Sequence, residues 1–248
     1  MNLNSAMRKP FLFVALTWLF FTACKKESCL GEAGSVVTVT RATSTFHQID
    51  VYDNIDVILI QDSIEKIELV APQHLEPNIT TQIENGVLRI KNEASCTWLR
   101  RASEKATAYV HLKKLDRIDY AGSGAVSSSN TLLADNLTIY SERGAGNIEL
   151  TVKAVQTFSY IMDENADIIL HGSSDVCYSY TGSRGTIGFS DFTVKKMVIE
   201  YGGVRDATIH VTEDLNAILY YKGNVYYKGL PVITKNEVHS SGQLIHIP

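Results

Sequence analysis

The stretch Leu137-Thr138-Ile139-Tyr140, Ser141-Glu142-Arg143, Gly144-Ala145-Gly146, Asn147-Ile148-Glu149-Leu150-Thr151-Val152 decides the architecture. It reads as strand, tight small-residue corner, strand. The small corner residues supply positive φ or close backbone approach, and the β-branched residue two positions after the last glycine restarts extended structure. The small–spacer–β-branched signature recurs as Gly124-Ala125-Val126, Gly146-Asn147-Ile148, Ala166-Asp167-Ile168, Gly185-Thr186-Ile187, Ala207-Thr208-Ile209 and Gly223-Asn224-Val225. The steps between small residues are 22, 20, 19, 22 and 16. A period of this size marks a chain that stacks copies of one supersecondary unit. One such unit cannot bury its apolar side alone. Copies stacked at the ~4.8 Å strand spacing hydrogen-bond to each other and bury a continuous core. The expectation is an all-β, parallel β-helix-like solenoid with coils of roughly 20 residues. No window holds a helical period.

A second comb has a similar period: Tyr120, Tyr140, Tyr160 and Tyr180, continued by Tyr201 and Tyr220. Aligned on one outer face, such rings would form a strip that stacks on sugar rings or lipid. Turned inward, they would pack against each other at ~1 kcal/mol per pair. Parity speaks against a single face, because Tyr120 shares a side with Ile118 while Tyr140 lies opposite Leu137 and Ile139. The candidate binding residues are Tyr160, Tyr180 and Tyr201, with Trp98 from the one long polar interruption and Arg184 and Arg205 from the turns. Arg143, Arg184 and Arg205 fall in roughly equivalent turns near Glu142, Glu164 and Asp206. They could stack into a charged ladder, of the kind that would let a β-helix act on polysaccharides. A solvated turn face is the favoured reading.

Working back toward the N-terminus, Phe46, Ile49 and Val51, then Asp53-Asn54, then Ile55 to Ile60 read as strand, turn, strand. Ile64 to Val70 is a third strand. Asn85-Gly86 between two alternating runs is a hairpin signal, since both residues tolerate positive φ. Ile49-x-Val51 followed by Val57-x-Leu59 has the form of the repeats, so residues 46–248 read as one β-solenoid body. Lys25 to about Ser44 is rich in Gly, Ser and Thr and reads as a tether, with Val36 to Val39 at most a stray strand.

Arg8-Lys9 followed by the apolar run Phe11 to Phe21 reads as a signal peptide over residues 1–23, because the run is too short to span a ~30 Å core. Phe21-Thr22-Ala23-Cys24 resembles a lipobox, which would make Cys24 a lipidated first residue on a tether over 24–45. The expectation is an exported outer-membrane lipoprotein held at a membrane by its lipid. A net charge of -4 with mixed signs excludes the clustered basic face that nucleic acid needs. Of Cys29, Cys96 and Cys177, no pair has metal-ligand spacing. They read as unpaired, Cys177 being small and buried; the one bridge worth weighing is Cys96–Cys177.

The export signal with Cys24, Phe46-x-x-Ile49-x-Val51 with Val57 to Ile60, the Asn85-Gly86-Val87-Leu88-Arg89-Ile90 hairpin and the later Gly-rich rungs resemble the head GIN domain family. It occurs mainly in Bacteroidetes lipoproteins described as auto-transporter adhesins, with no settled function. The resemblance covers nearly all of residues 24–248 and implies a right-handed parallel β-helix. It supplies no catalytic residues.

The motifs of catalysis are missing from the sequence. The seven His residues form no H-x-x-x-H, no G-x-S-x-G elbow occurs, and Gly122-Ser123-Gly124 lacks the Lys and helix of a phosphate loop. Asp50, Asp53 and Asp56 match no Ca²⁺ loop. No cofactor or metal is implied. The sequence points to a non-enzymatic binding or adhesion module of the cell envelope, with a glycan or an envelope protein as partner. The alternatives are a polysaccharide-active enzyme and a structural or lipid-contacting protein.

Overall fold

Alternating apolar residues become strands throughout the chain. The structure, a computed structural model, describes residues 34–94, 105–162, 165–182 and 184–248. Cys24, Cys96 and Trp98 lie outside these. The first strands are β1 (Val36–Ala42), β2 (Gln48–Asp53), β3 (Ile55–Gln61), β4 (Lys66–Pro72), β5 (Ile79–Glu84) and β6 (Val87–Asn92). A 3-10 turn at Glu76–Asn78 precedes β5. The Asn85-Gly86 hairpin forms as its sequence requires: both residues have positive φ (53° and 78°) and β5 pairs antiparallel with β6. Asp53-Asn54 is a different kind of turn. It joins β2 to β3 without pairing them, because each strand stacks on other strands as half of a coil.

β7 (Ala106–Leu112), β8 (Arg117–Gly122), β9 (Val126–Ser128) and β10 (Leu132–Ser141) lead into the regular half. There the strands are β11 (Asn147–Ile161), β12 (Asp167–Thr181), β13 (Ile187–Tyr201) and β14 (Ala207–Leu219), then β15 (Val225–Lys228), β16 (Val232–Val238) and β17 (Leu244–His246). Consecutive copies pair in parallel, with Tyr140, Tyr160 and Tyr180 in one row and Ile148, Ile168 and Ile187 in another. This is the β-solenoid expected from the period, with coils of roughly 20 residues. Each long strand bends. In β11 the buried positions are Ile148, Leu150 and Val152, then, after a parity change across Lys153–Gln156, Thr157, Ser159 and Ile161. The first half lies on what we call the back face of the coil and the second half on the front face.

The front face continues through β8, β2 and β6, and the back face through β9, β3 and β7. Ile49, Ile118 and Ile139 form one buried row, so the repeat does extend to the first half. The spatial order is not the chain order: β2 and β3 sit between β6–β7 and β8–β9. β4 pairs antiparallel with β7, and β1 antiparallel with β4. Val36–Ala42, assigned to the tether by composition, is therefore a strand of the body. Its Val-Thr alternation lies half exposed on an outer strand, which makes its apolar signal weak.

The corner rows correct one alignment. Val126, Ile148, Ile168 and Ile187 continue into Ala207 and Val225, not Ile209. The residue two before each is then Gly124, Gly146, Ala166, Gly185, Arg205 and Gly223, and the irregular steps of 22 and 16 become 20 and 18. A Cβ on Gly146 would overlap the Gly124 carbonyl and the Tyr120 hydroxyl, so that corner admits only glycine. The spacer position has its own task. Corner N–H groups lie outside the sheets and still need partners. Asp56 accepts from the N–H of Ala125, Asp167 from Thr186, Asp206 from Asn224 and Asn224 from Gln243.

Candidate functional site

The front face inverts the usual rule over its middle coils. Apart from Ile161, the inward positions on the second halves of β11 and β12 are small or polar: Thr157, Ser159, Cys177, Ser179 and Thr181, all buried. The hydroxyls of Ser141, Ser159, Ser179 and Thr181 are buried without a hydrogen-bond partner among the described residues. Outward positions on the same strands are Phe158, Tyr160, Tyr178 and Tyr180, next to Tyr140 on β10. Phe158 and Tyr178 stack with centroids 5.4 Å apart and planes 8° apart. Tyr140 and Tyr160 meet at 6.3 Å in a tilted pair, and Tyr178 is 41 % exposed. Such contacts contribute ~1 kcal/mol each beyond the area they bury, and Tyr140, Phe158, Tyr160 and Tyr180 are half-buried. The rings form a platform of three adjacent rungs.

Charged groups rim the platform. On its N-terminal side Arg117 lies over the Tyr140 ring at 5.2 Å and bonds Asp119 through Nε at 2.8 Å. Gln48 donates to Asp50 and Asp119, and Arg89 reaches Asp50 and Glu84. Beside Tyr140 a shallow depression of about 220 Å³ is lined by Asp50, Tyr52, Arg117, Asp119, Glu142 and Arg143. On the C-terminal side Glu200 follows Tyr180 in the same row and accepts a hydrogen bond from Tyr220. Burial, then the Glu142 charge, raises the Tyr140 phenol above its ordinary range, and the hydrogen bond to Asp119 raises Arg117. Both shifts move their groups away from neutral pH. That suits recognition better than proton transfer, which wants a group poised near pH 7.

The candidates from sequence separate. Tyr160 and Tyr180 are on the platform. Tyr201 points inward, where its hydroxyl donates to the Arg205 carbonyl at 2.6 Å. Tyr120 does the same four coils earlier, donating to the Gly124 carbonyl at 2.5 Å. The comb thus changes sides, as its parity indicates. Arg143, Arg184 and Arg205 form no ladder, because they stand three, one and zero residues before the small-residue row. Arg205 instead bonds both Asp167 oxygens, at 2.7 and 2.9 Å, and Arg184 is exposed on its turn. Asp50, Asp53 and Asp56 take separate partners: Arg89, the Asn92 N–H and the Ala125 N–H. No group of three or more potential metal-ligating side chains occurs among the described residues. Among the described residues Cys177 is a free, buried thiol, pushed up to about 12 by burial. Sequence reasoning missed Phe158, Tyr178 and the Arg117–Asp119 pair. The available signal was the small–large alternation Thr157-Phe158-Ser159-Tyr160, repeated as Cys177-Tyr178-Ser179-Tyr180.

This fold has known relatives. The family model "Putative auto-transporter adhesin, head GIN domain" matches residues 45–231. The chain belongs to that family. No curated protein matches it. Among solved structures it resembles a "putative adhesin" from Bacteroides fragilis, with 21 % identity, 86 % of this chain and 97 % of that one covered, and a TM-score of 0.80. A second "putative adhesin", from Parabacteroides merdae, matches with 20 % identity, 87 % and 97 % coverage and a TM-score of 0.65. A "putative lipid binding protein" from Parabacteroides distasonis matches with 19 % identity, 87 % and 98 % coverage and a TM-score of 0.65. At these identities the likeness is one of fold. No helix among the described residues is long and apolar enough to cross a membrane.

Proposed function

We propose that the protein is an exported, lipid-anchored binding module of the cell envelope, and that the front-face aromatic platform is its binding surface. The observation that carries the reading is the inversion itself: rings of Tyr140, Phe158, Tyr160, Tyr178 and Tyr180 face outward while Thr157, Ser159, Ser179 and Thr181 occupy inward positions beside them. Exposed contiguous apolar surface rimmed by polar groups marks interaction sites. A glycan fits best. The C–H face of a sugar ring stacks on an aromatic plane, and its hydroxyls suit the Arg117, Asp119, Asp50 and Glu142 rim. The solenoid presents this chemistry as a flat strip, which matches an extended chain. Cys24 would carry the lipid, whose buried CH₂ groups contribute ~0.8 kcal/mol each.

A glycan array probed with the full chain and with a Phe158→Ala/Tyr178→Ala variant tests the site. Binding that falls about tenfold or more in the variant supports it, about 1.4 kcal/mol being one tenfold step. A blank array together with blank envelope pull-downs would sink it. The lipid reading is favoured by the Parabacteroides distasonis neighbour described as lipid binding. Vesicle binding that depends on Phe158 and Tyr178 would replace the glycan with lipid at the same face. For the anchor, Cys24→Ala should release the protein from membranes, and unchanged retention would rule out lipidation there.

A further inference from the structure

Among the described residues the two ends of the solenoid differ in how their apolar rows finish. At the N-terminal end, antiparallel β4, β1 and β5 extend the two faces, Arg41 of β1 bonds Glu76 and Thr81, and Phe46, Leu75 and Ile79 are at most 2 % exposed. At the C-terminal end the fully buried rows of Leu215 and Leu219 continue into Ile233 and Val238, which are 41 % and 44 % exposed. Leu230 and Val232 next to them are more exposed still. β16 pairs with β14 along one edge, and among the described residues no strand registers against its other edge. The His239 N–H donates to the Leu219 carbonyl. By alternation the peptide groups of Asn236 and Val238 face the free edge.

We propose that the C-terminal end docks a second copy of the chain, by antiparallel pairing of β16 with its own counterpart about a two-fold axis at Asn236. The charge pattern of β16 selects that occupant. In this register Lys235 faces the partner's Glu237, and Glu237 faces the partner's Lys235. Both side chains belong to the outward row, as their pairing with Asn216 and Ile218 and their mutual 2.7 Å contact show. These are the non-hydrogen-bonded positions, where facing side chains are closest. Asn236 pairs with itself through its free peptide groups, and the exposed Ile233 and Val238 rows of the two copies close over a shared core. An isologous contact of this kind needs one self-complementary patch and stops at two copies. A head-to-tail stack would set the exposed Ile233 and Val238 rows against an end whose Phe46, Leu75 and Ile79 are already buried, so those rows would gain no apolar counterpart. The inference stands on the end of the solenoid and is independent of the aromatic platform.

Light scattering on the full chain, across a concentration series, tests it. A two-chain mass that dissociates on dilution is expected. Lys235→Glu places like charges across the axis twice and should weaken association about tenfold, since each exposed pair contributes at most ~1 kcal/mol. Lys235→Glu/Glu237→Lys makes the strand self-complementary again and should restore it. If Lys235→Glu does not fold, judged by circular dichroism, Asn236→Cys replaces it. Oxidation should then give a reducible dimer cross-linked through the introduced thiol, identified by peptide mapping, since facing Cα atoms in a bonded pair stand ~5.5 Å apart. A one-chain mass at every concentration overturns the proposal and makes Lys235 and the irregular pairing at Thr234 guards of a free edge. Association that ignores the charge reversal, or no dimer from Asn236→Cys, overturns it as well.

Discussion

The two halves of β11 obey opposite rules. In Asn147–Val152 the large residues Ile148, Leu150 and Val152 point inward, while Glu149 is exposed. In Gln156–Ile161 the inward residues include Thr157 and Ser159, and the large rings of Phe158 and Tyr160 point out. The halves share one strand and one ladder to the coils above and below. Backbone pairing therefore does not require the usual sorting of side chains. The back face sorts for stability. The front face departs from that sorting over the coils where a binding surface would need aromatic rings, and burying hydroxyls without partners carries a cost. A local rule broken in a regular structure is where function is expected.

The sharpest way to break this comparison is a pair of truncations. Leu150→Ala on the back face should cost about 3 kcal/mol. Phe158→Ala on the front face should cost less, about 1–2 kcal/mol, because its half-buried ring loses the stack on Tyr178 but leaves no enclosed cavity. Equal losses in denaturant melts would mean that the platform is structural. Tyr120→Phe comes next. It leaves the Gly124 carbonyl without its buried donor, which costs about 1–3 kcal/mol at neutral pH. Burial raises the Tyr120 phenol from 10.0 to about 12. Above pH 10 the unfolded chain ionises first, so this contribution is intact below about pH 10 and is lost as pH rises toward 12. The wild-type melting temperature should fall across that window more steeply than that of the Phe variant.

Ser159→Ala sharpens the comparison in the other direction. It removes a buried hydroxyl that has no partner among the described residues and should raise stability by about 1 kcal/mol. A loss of that size would show that the hydroxyl is satisfied in solution. Arg205→Ala should change the least, within ~1 kcal/mol by thermal melt, because the pair with Asp167 is largely exposed.

Period and corner chemistry made the solenoid legible: glycine is required at Gly146, where a Cβ meets backbone, and the sequence shows it. The misplaced rung at Ala207 was not legible. Arg205 occupies the small position there, and Ile209 offers a false β-branched match two residues late. The N-terminal order was hidden as well, since nothing local in Ile49-x-Val51 says that β8 will lie on one side of it and β6 on the other. At the site, residue type suggested the tyrosines, but facing depends on register. Tyr160 and Tyr201 belong to one comb, yet one lies on the platform and the other under a corner. Small residues between rings, as in Phe158-Ser159-Tyr160, were the better signal, because an interior row of serines leaves the rings nowhere to go but outward.

The interleaving of β2–β3 between β6–β7 and β8–β9 sets a timetable for the growing or emerging chain. Threaded from its N-terminus, the chain delivers its first coil long before either covering layer, and the second layer is complete only at Ser128. Until then Ile49, Val51, Val57 and Leu59 have no finished enclosure. From β10 onward each coil lands on one already in place, so later arrivals add singly, like courses on a laid foundation. Fragments ending before β9 should be protease-sensitive throughout, whereas fragments ending after β13 should lose only their last coil.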